Sequence, residues 1–203
     1  MAWSTQILAM NKLERKDLYS LEKYAEVREK MRAEVMQHKQ NRRLTIGPDA
    51  TLYFEDRLTM HYQVQEMLRT ERVFEASGIE EELEAYNPLI PDGSNWKATF
   101  MIEIDDPEER RQKLAKMLGI DAAVWVRVGE HDEVRPISNE DLERETEEKT
   151  SSVHFLRFEL SADMVDSLKN GATLSAGIDH DAYDYTVDPV ADNIREALVQ
   201  DLD

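Results

Sequence analysis

The sequence predicts an α+β protein, with long N-terminal helices and a short β-hairpin followed by a mostly antiparallel sheet with flanking helices. Three observations carry that expectation. Leu21, Tyr24, Val27, Met31 and Val35 recur at spacings of three and four, the helical period. From Trp96 onward, runs such as KATFMIEI and HFLRFEL show the strand period of two. Tight polar turns such as GEHD and DHDA separate neighbouring β-prone runs, which suits hairpins.

Residues 1–13 read as a leader, 14–95 as a helical N-terminal part and 96–203 as an α+β part, or the last two as one continuous domain. Asp17 suits the N-cap of a helix running to about Arg43. That helix closes with HKQNRR, His38 to Arg43, where the negative end of the helix dipole favours cations; an acidic partner is the rival reading of these residues. LTIGPDATLYF is a hairpin around Gly47-Pro48-Asp49. Asp56 can cap the helix that follows, which is expected to end near Ala76-Ser77-Gly78. Ile79 to Tyr86 is a short acidic helix, and NPLIPDGSN a loop stiffened by two prolines.

In the second half, Pro107 opens a helix through Leu118 that Gly119 ends. AVWVRV and EVRPI are strands joined across GEHD. NEDLERETEEK is an acidic helix, whose Glu140 to Lys149 run reads as a solvated face or as a docking site for a basic partner. HFLRFEL is a strand, SADMVDSLK a helix capped by Ser161, and ATLSAGI and YDYTV pair across DHDA. A last helix runs from about Pro189 to Leu202.

Composition narrows the function classes. The 203 residues carry a formal charge of −18, which repels phosphate backbones and anionic membrane surfaces, so no nucleic-acid or membrane partner is expected. The chain has no cysteine, which removes disulfides, a thiol nucleophile and a Cys-ligated cluster held by this chain alone. Its methionines remain oxidisable. No run approaches the ~20 apolar residues of a membrane span, and MAWSTQILAMNKLERK lacks the pattern of a signal peptide, so the cytoplasm is the expected location. No P-loop, G-x-G-x-x-G, H-E-x-x-H, G-x-S-x-G or repeated Glu-x-x-His occurs. No cofactor is expected.

The helix within LYFEDRLTMHYQVQEMLRTERVF holds the most suggestive polar residues. On a wheel, Met60, Val64, Met67, Glu71 and Phe74 form a heptad-like seam, suited to the first helix or to a second subunit. Leu58, Tyr62, Arg69 and Val73 form a second strip. Thr59, Gln63, Glu66 and Thr70 lie between the two strips, while Arg57, His61, Gln65, Leu68 and Arg72 look solvated. His61 and Glu66 are about 140° apart and cannot share a metal on one straight helix. Two readings fit Glu66. One is an internal ion pair with Arg69 or Arg57 supported by Gln63; the other is a ligand or general base in a cleft.

Elsewhere, alternation puts His154 on one face with Leu156, Phe158 and Leu160, as a satisfied core histidine or a ligand. Asp179, His180, Asp181 and Asp184 are a weak metal candidate that a polar turn also explains. Asn87 and Asp92 bracket a loop that can hold backbone or a ligand.

The segments LYFEDRLTMHYQVQEMLRTERVF, AYNPLIPDGSNWKATFMIEI and EEKTSSVHFLRFEL together resemble a bacterial family, domain of unknown function family 3501, from about Leu13 to the C-terminus. The resemblance assigns no reaction and no catalytic residues. It implies genes often placed near rubrerythrin-like proteins and iron–sulfur oxidoreductases, hence an accessory role in peroxide or redox metabolism; any cluster or di-iron centre would belong to a partner. The leading expectation is therefore a non-catalytic accessory or interaction protein. The alternative is a small enzyme or metal-binding protein whose site combines Glu66, Gln63, Arg57 or Arg69, the Asn87–Asp92 loop and His154. A homodimer through Met60, Val64, Met67 and Phe74 is the third.

Overall fold

The computed structural model describes residues 12–141, 144, 146 and 148–203. The first helix, α1, spans Leu21–Gln40 and buries Tyr24, Met31 and Val35. Ser20, rather than Asp17, caps it, accepting the Lys23 N–H at 3.3 Å. Asp17 lies in a 3-10 turn, Arg15–Asp17, followed by extended backbone at Leu18, so the helical turn cannot begin there. β1 (Arg43–Ile46) and β2 (Ala50–Glu55) form the expected hairpin, turning at Gly47 with φ 69°. Asp56 caps α2 (Arg57–Glu71) in a reciprocal arrangement with Thr59. Arg72, in the left-handed conformation at φ 57°, ends α2 before the expected Ala76, and α3 starts there instead (Ala76–Tyr86).

A short 3-10 turn, Asn87–Leu89, leads toward β3 (Asn95–Ile102). α4 (Pro107–Lys116), α5 (Ile120–Ala123), β4 (Val124–Val128), β5 (Ile137–Ser138) and β6 (Val153–Glu159) follow. The Ser161-capped α6 (Ala162–Lys169), the β7–β8 hairpin (Leu174–His180, Tyr183–Val187) and α7 (Asp192–Val199) complete the chain.

Two expected elements differ. EVRPI does not form one strand beside β4. Only Val134 bridges Val126, and Ile137–Ser138 pairs with β6 in the other sheet. Pro136 stands between them and cannot donate to a ladder. The acidic helix is absent from the described part of its segment: Asn139 is left-handed at φ 51°, and Asp141, Arg144, Thr146 and Glu148 carry no helical pattern. Leu142, Glu143, Glu145 and Glu147 lie outside the described residues.

The strands build two antiparallel sheets, ordered β1-β2-β3-β6-β5 and β4-β7-β8. Alternation sends Leu52, Phe54, Trp96, Phe100, Leu156 and Phe158 into one core with Val124, Val126, Ala176 and Ile178 of the second sheet. Helices α4, α6 and α7 add Leu114, Leu168 and Leu198. Tyr183 of β8 staples the sheets together. Its hydroxyl accepts the N–H groups of Asp49 and Ala50 at 2.8 and 3.0 Å and donates to the Ile46 carbonyl at 2.8 Å. That contact also crowds the β1–β2 turn, where a Cβ on Gly47 would come within 2.7 Å of Tyr183.

The α2 wheel needs correcting on its solvated side. Gln65 and Leu68 are 0% and 2% exposed. The chain before α1 covers them: Gln65 Oε1 accepts the Tyr19 N–H at 2.6 Å, Tyr19 stacks on His61 at 5.9 Å, and Arg57 pairs with Asp17 at 2.9 Å. His61 is thus half-buried, and burial foremost, then Arg57, holds its pKa below the usual value. Leu13, grouped with the leader on sequence, is buried with Met60, Val64, Leu68, Leu83 and Ile90. The seam proposed for a homodimer is therefore largely internal packing. Met60 and Val64 are consumed by this cluster, Met67 is half-buried, and Phe74 stands exposed.

Candidate functional site

Glu66 is the acid the sequence pointed to, and its partners come from α1. Tyr24 and Arg28 sit one turn apart and both reach across to it. Arg28 makes a two-bond fork, Nε to Oε1 and NH2 to Oε2, each 2.7 Å, and the Tyr24 hydroxyl donates at 2.6 Å. The expected pairing exists, but its cation is neither Arg69 nor Arg57. Arg57 is engaged by Asp17, and Arg69 is exposed and adds only at longer range. Gln63, one turn before Glu66 on α2, is half-buried. Hydrogen bonding from Arg28, above all, brings the Glu66 pKa down to about 2, against the opposing effect of burial. A carboxylate so held is a weak base at neutral pH.

The loop candidates serve the backbone. Asn87 accepts the Leu13 N–H at 2.7 Å and donates to the Leu13 carbonyl at 2.9 Å, acting as a surrogate strand partner. Asp92 takes the Ser94 N–H at 3.1 Å and its hydroxyl at 2.9 Å. Burial would raise its pKa, but the Ser94 bonds outweigh it and the pKa falls.

His154 is 0% exposed on β6 and packs against Phe100. Its Nε2 lies 3.0 Å from the Ser151 carbonyl and 3.1 Å from the Thr150 hydroxyl. A carbonyl only accepts, so Nε2 carries a proton. Nδ1 faces the Asn139 amide at 3.1 Å, and that amide also reaches Asp121 at 3.0 Å. The left-handed Asn139 further exchanges two bonds with the Phe155 backbone. His154 belongs to the main core, whereas Glu66 touches Tyr24 of a separate cluster with Met31, Val35 and Tyr62. The structure does not bring Glu66 and His154 into one cleft.

At the β7–β8 turn, Arg135 forks onto Asp179, one bond being 2.6 Å. His180 contacts the Leu118 carbonyl through Nε2 at 2.8 Å and takes the Ala182 N–H on Nδ1 at 3.1 Å. Asp181 and Asp184 are exposed. Among the described residues, no group of three or more His, Asp or Glu is placed to hold a metal ion.

A buried polar network around Arg42 escaped the sequence reading. Arg42, just past α1, is 3% exposed. It donates to the Phe54 carbonyl at 3.0 Å, the Glu55 carbonyl at 3.1 Å, and Asp201 near the C-terminus. Asp56 approaches Arg42 at 3.5 Å and His38 at 2.5 Å. Burial pushes the Asp201 pKa up to about 6 against the pull of Arg42. Burial also works against Asp56, but His38 and Arg42 outweigh it and bring that pKa to about 2. HKQNRR offered charge at a helix end, and only the fold turns its Arg42 inward.

A cleft of about 320 Å³ opens between α4 and the segment leading into β6. Arg110, Arg144 and Lys149 line it, with Thr150 and Ser152 at its wall. Thr150 is itself buried and joins this wall to His154.

The architecture defines an antiparallel two-sheet α+β protein with internally paired polar clusters. The chain belongs to the family described as "Protein of unknown function (DUF3501)", which matches residues 12–202. It is similar to a protein of unknown function from Burkholderia pseudomallei K96243 whose crystal structure is known. The two share 47% identity with a TM-score of 0.90, over 95% of this chain and 100% of that one. No curated relative matches.

Proposed function

We propose that this protein acts by binding rather than by chemistry, as a cytoplasmic, non-catalytic accessory protein of peroxide or redox-stress metabolism. The observation that carries the non-catalytic part is the Arg28–Tyr24 grip on Glu66, which removes the strongest acid–base candidate from service. A catalytic base needs a pKa nearer the working pH. The redox assignment has a different footing. It follows from the gene neighbourhood that the family resemblance implies, and with no cysteine the chain would serve a cluster or di-iron centre held by its partner.

The test is native co-purification from cells carrying the chromosomal gene. Recovery of a rubrerythrin-like or iron–sulfur protein in stoichiometric amount is expected. A protein that stays solitary at native concentration, with or without peroxide stress, overturns the partner reading.

A further inference from the structure

We draw no further inference here: the strongest candidate, the exposed Phe74 at the corner between α2 and the glutamate-rich α3, carries nothing because nothing among the described residues shows what covers it.

Discussion

Glu66 and Asp201 each face an arginine, yet the protein shifts their protons in opposite directions. Glu66 sits between α1 and α2 with its side chain 21% exposed, and the Arg28 fork leads it to a pKa of about 2. Asp201 is 6% exposed by its side chain, and there burial outweighs Arg42, giving about 6. Water keeps the ionised form of Glu66 inexpensive, so the ion pair decides. At Asp201, with Arg42 as its bonded cation and the Asp56 carboxylate nearby, the cost of buried charge decides. By contrast, His38 and Arg42 together hold the buried Asp56 ionised. An arginine–carboxylate contact is therefore no measure of stabilisation until burial is known. The Arg42 network joins residues 159 apart in sequence, so it also fastens the C-terminus to the first hairpin.

The largest expected effect breaks the buried side of this contrast. Arg42→Met leaves Asp201 in the interior without its cation and the Phe54 and Glu55 carbonyls without their donor, and should cost about 3–5 kcal/mol in urea unfolding. A loss under about 1 kcal/mol would show that the interior tolerates Asp201 without its cation. Tyr183→Phe tests a neutral staple across the same two-sheet core. Deleting its hydroxyl leaves two N–H groups and a carbonyl short of a partner, for about 1–3 kcal/mol, with the β1–β2 turn losing amide-exchange protection first.

The next prediction uses pH. The folded Asp201 pKa of about 6 lies above its ordinary 3.8, so the native state holds a proton the unfolded chain has released. Stability should rise by about 3 kcal/mol as pH falls from above 6 to below 3.8, and this contribution is lost on returning above 6. Glu66 has the opposite sign. Its folded pKa of about 2 lies below 4.5, so its contribution is present above pH 4.5 and lost as pH falls toward 2. Unfolding midpoints across this range should rise, then fall. Asp201→Asn should remove the rising limb only, which separates it from His38 and Asp56 beside it. A wild-type profile without that limb contradicts the buried-acid account. The smallest effect is expected from Glu66→Gln. At this half-open surface the ion pair should be worth about 1 kcal/mol, with the acid fall-off softened in proportion.

What was legible in the sequence was local. Asp56 and Ser161 announced their helices because a capping side chain answers N–H groups two or three residues away. The Gly47 hairpin and the His154 face of β6 followed from turn chemistry and alternation. Glu66 was legible as an acid drawn inward by flanking apolar strips, but not its partner, since Arg28 belongs to another helix. Gln65 and Leu68 were misplaced because a wheel gives angles and does not say which neighbour covers them. Here the Leu13–Tyr19 segment does.

The sequence by itself determined the α+β class, most element positions and the family. These depend on periodicity and on bonds that close within a few residues. Only the tertiary structure decided which charges are interior. It turned Arg42 toward Asp201, enclosed His154 beneath Thr150, and gathered Arg110, Arg144 and Lys149 around one cleft. Charge is a property of a residue, but its solvation belongs to the packed chain, and solvation sets whether a polar group is spent on the fold or left for a ligand.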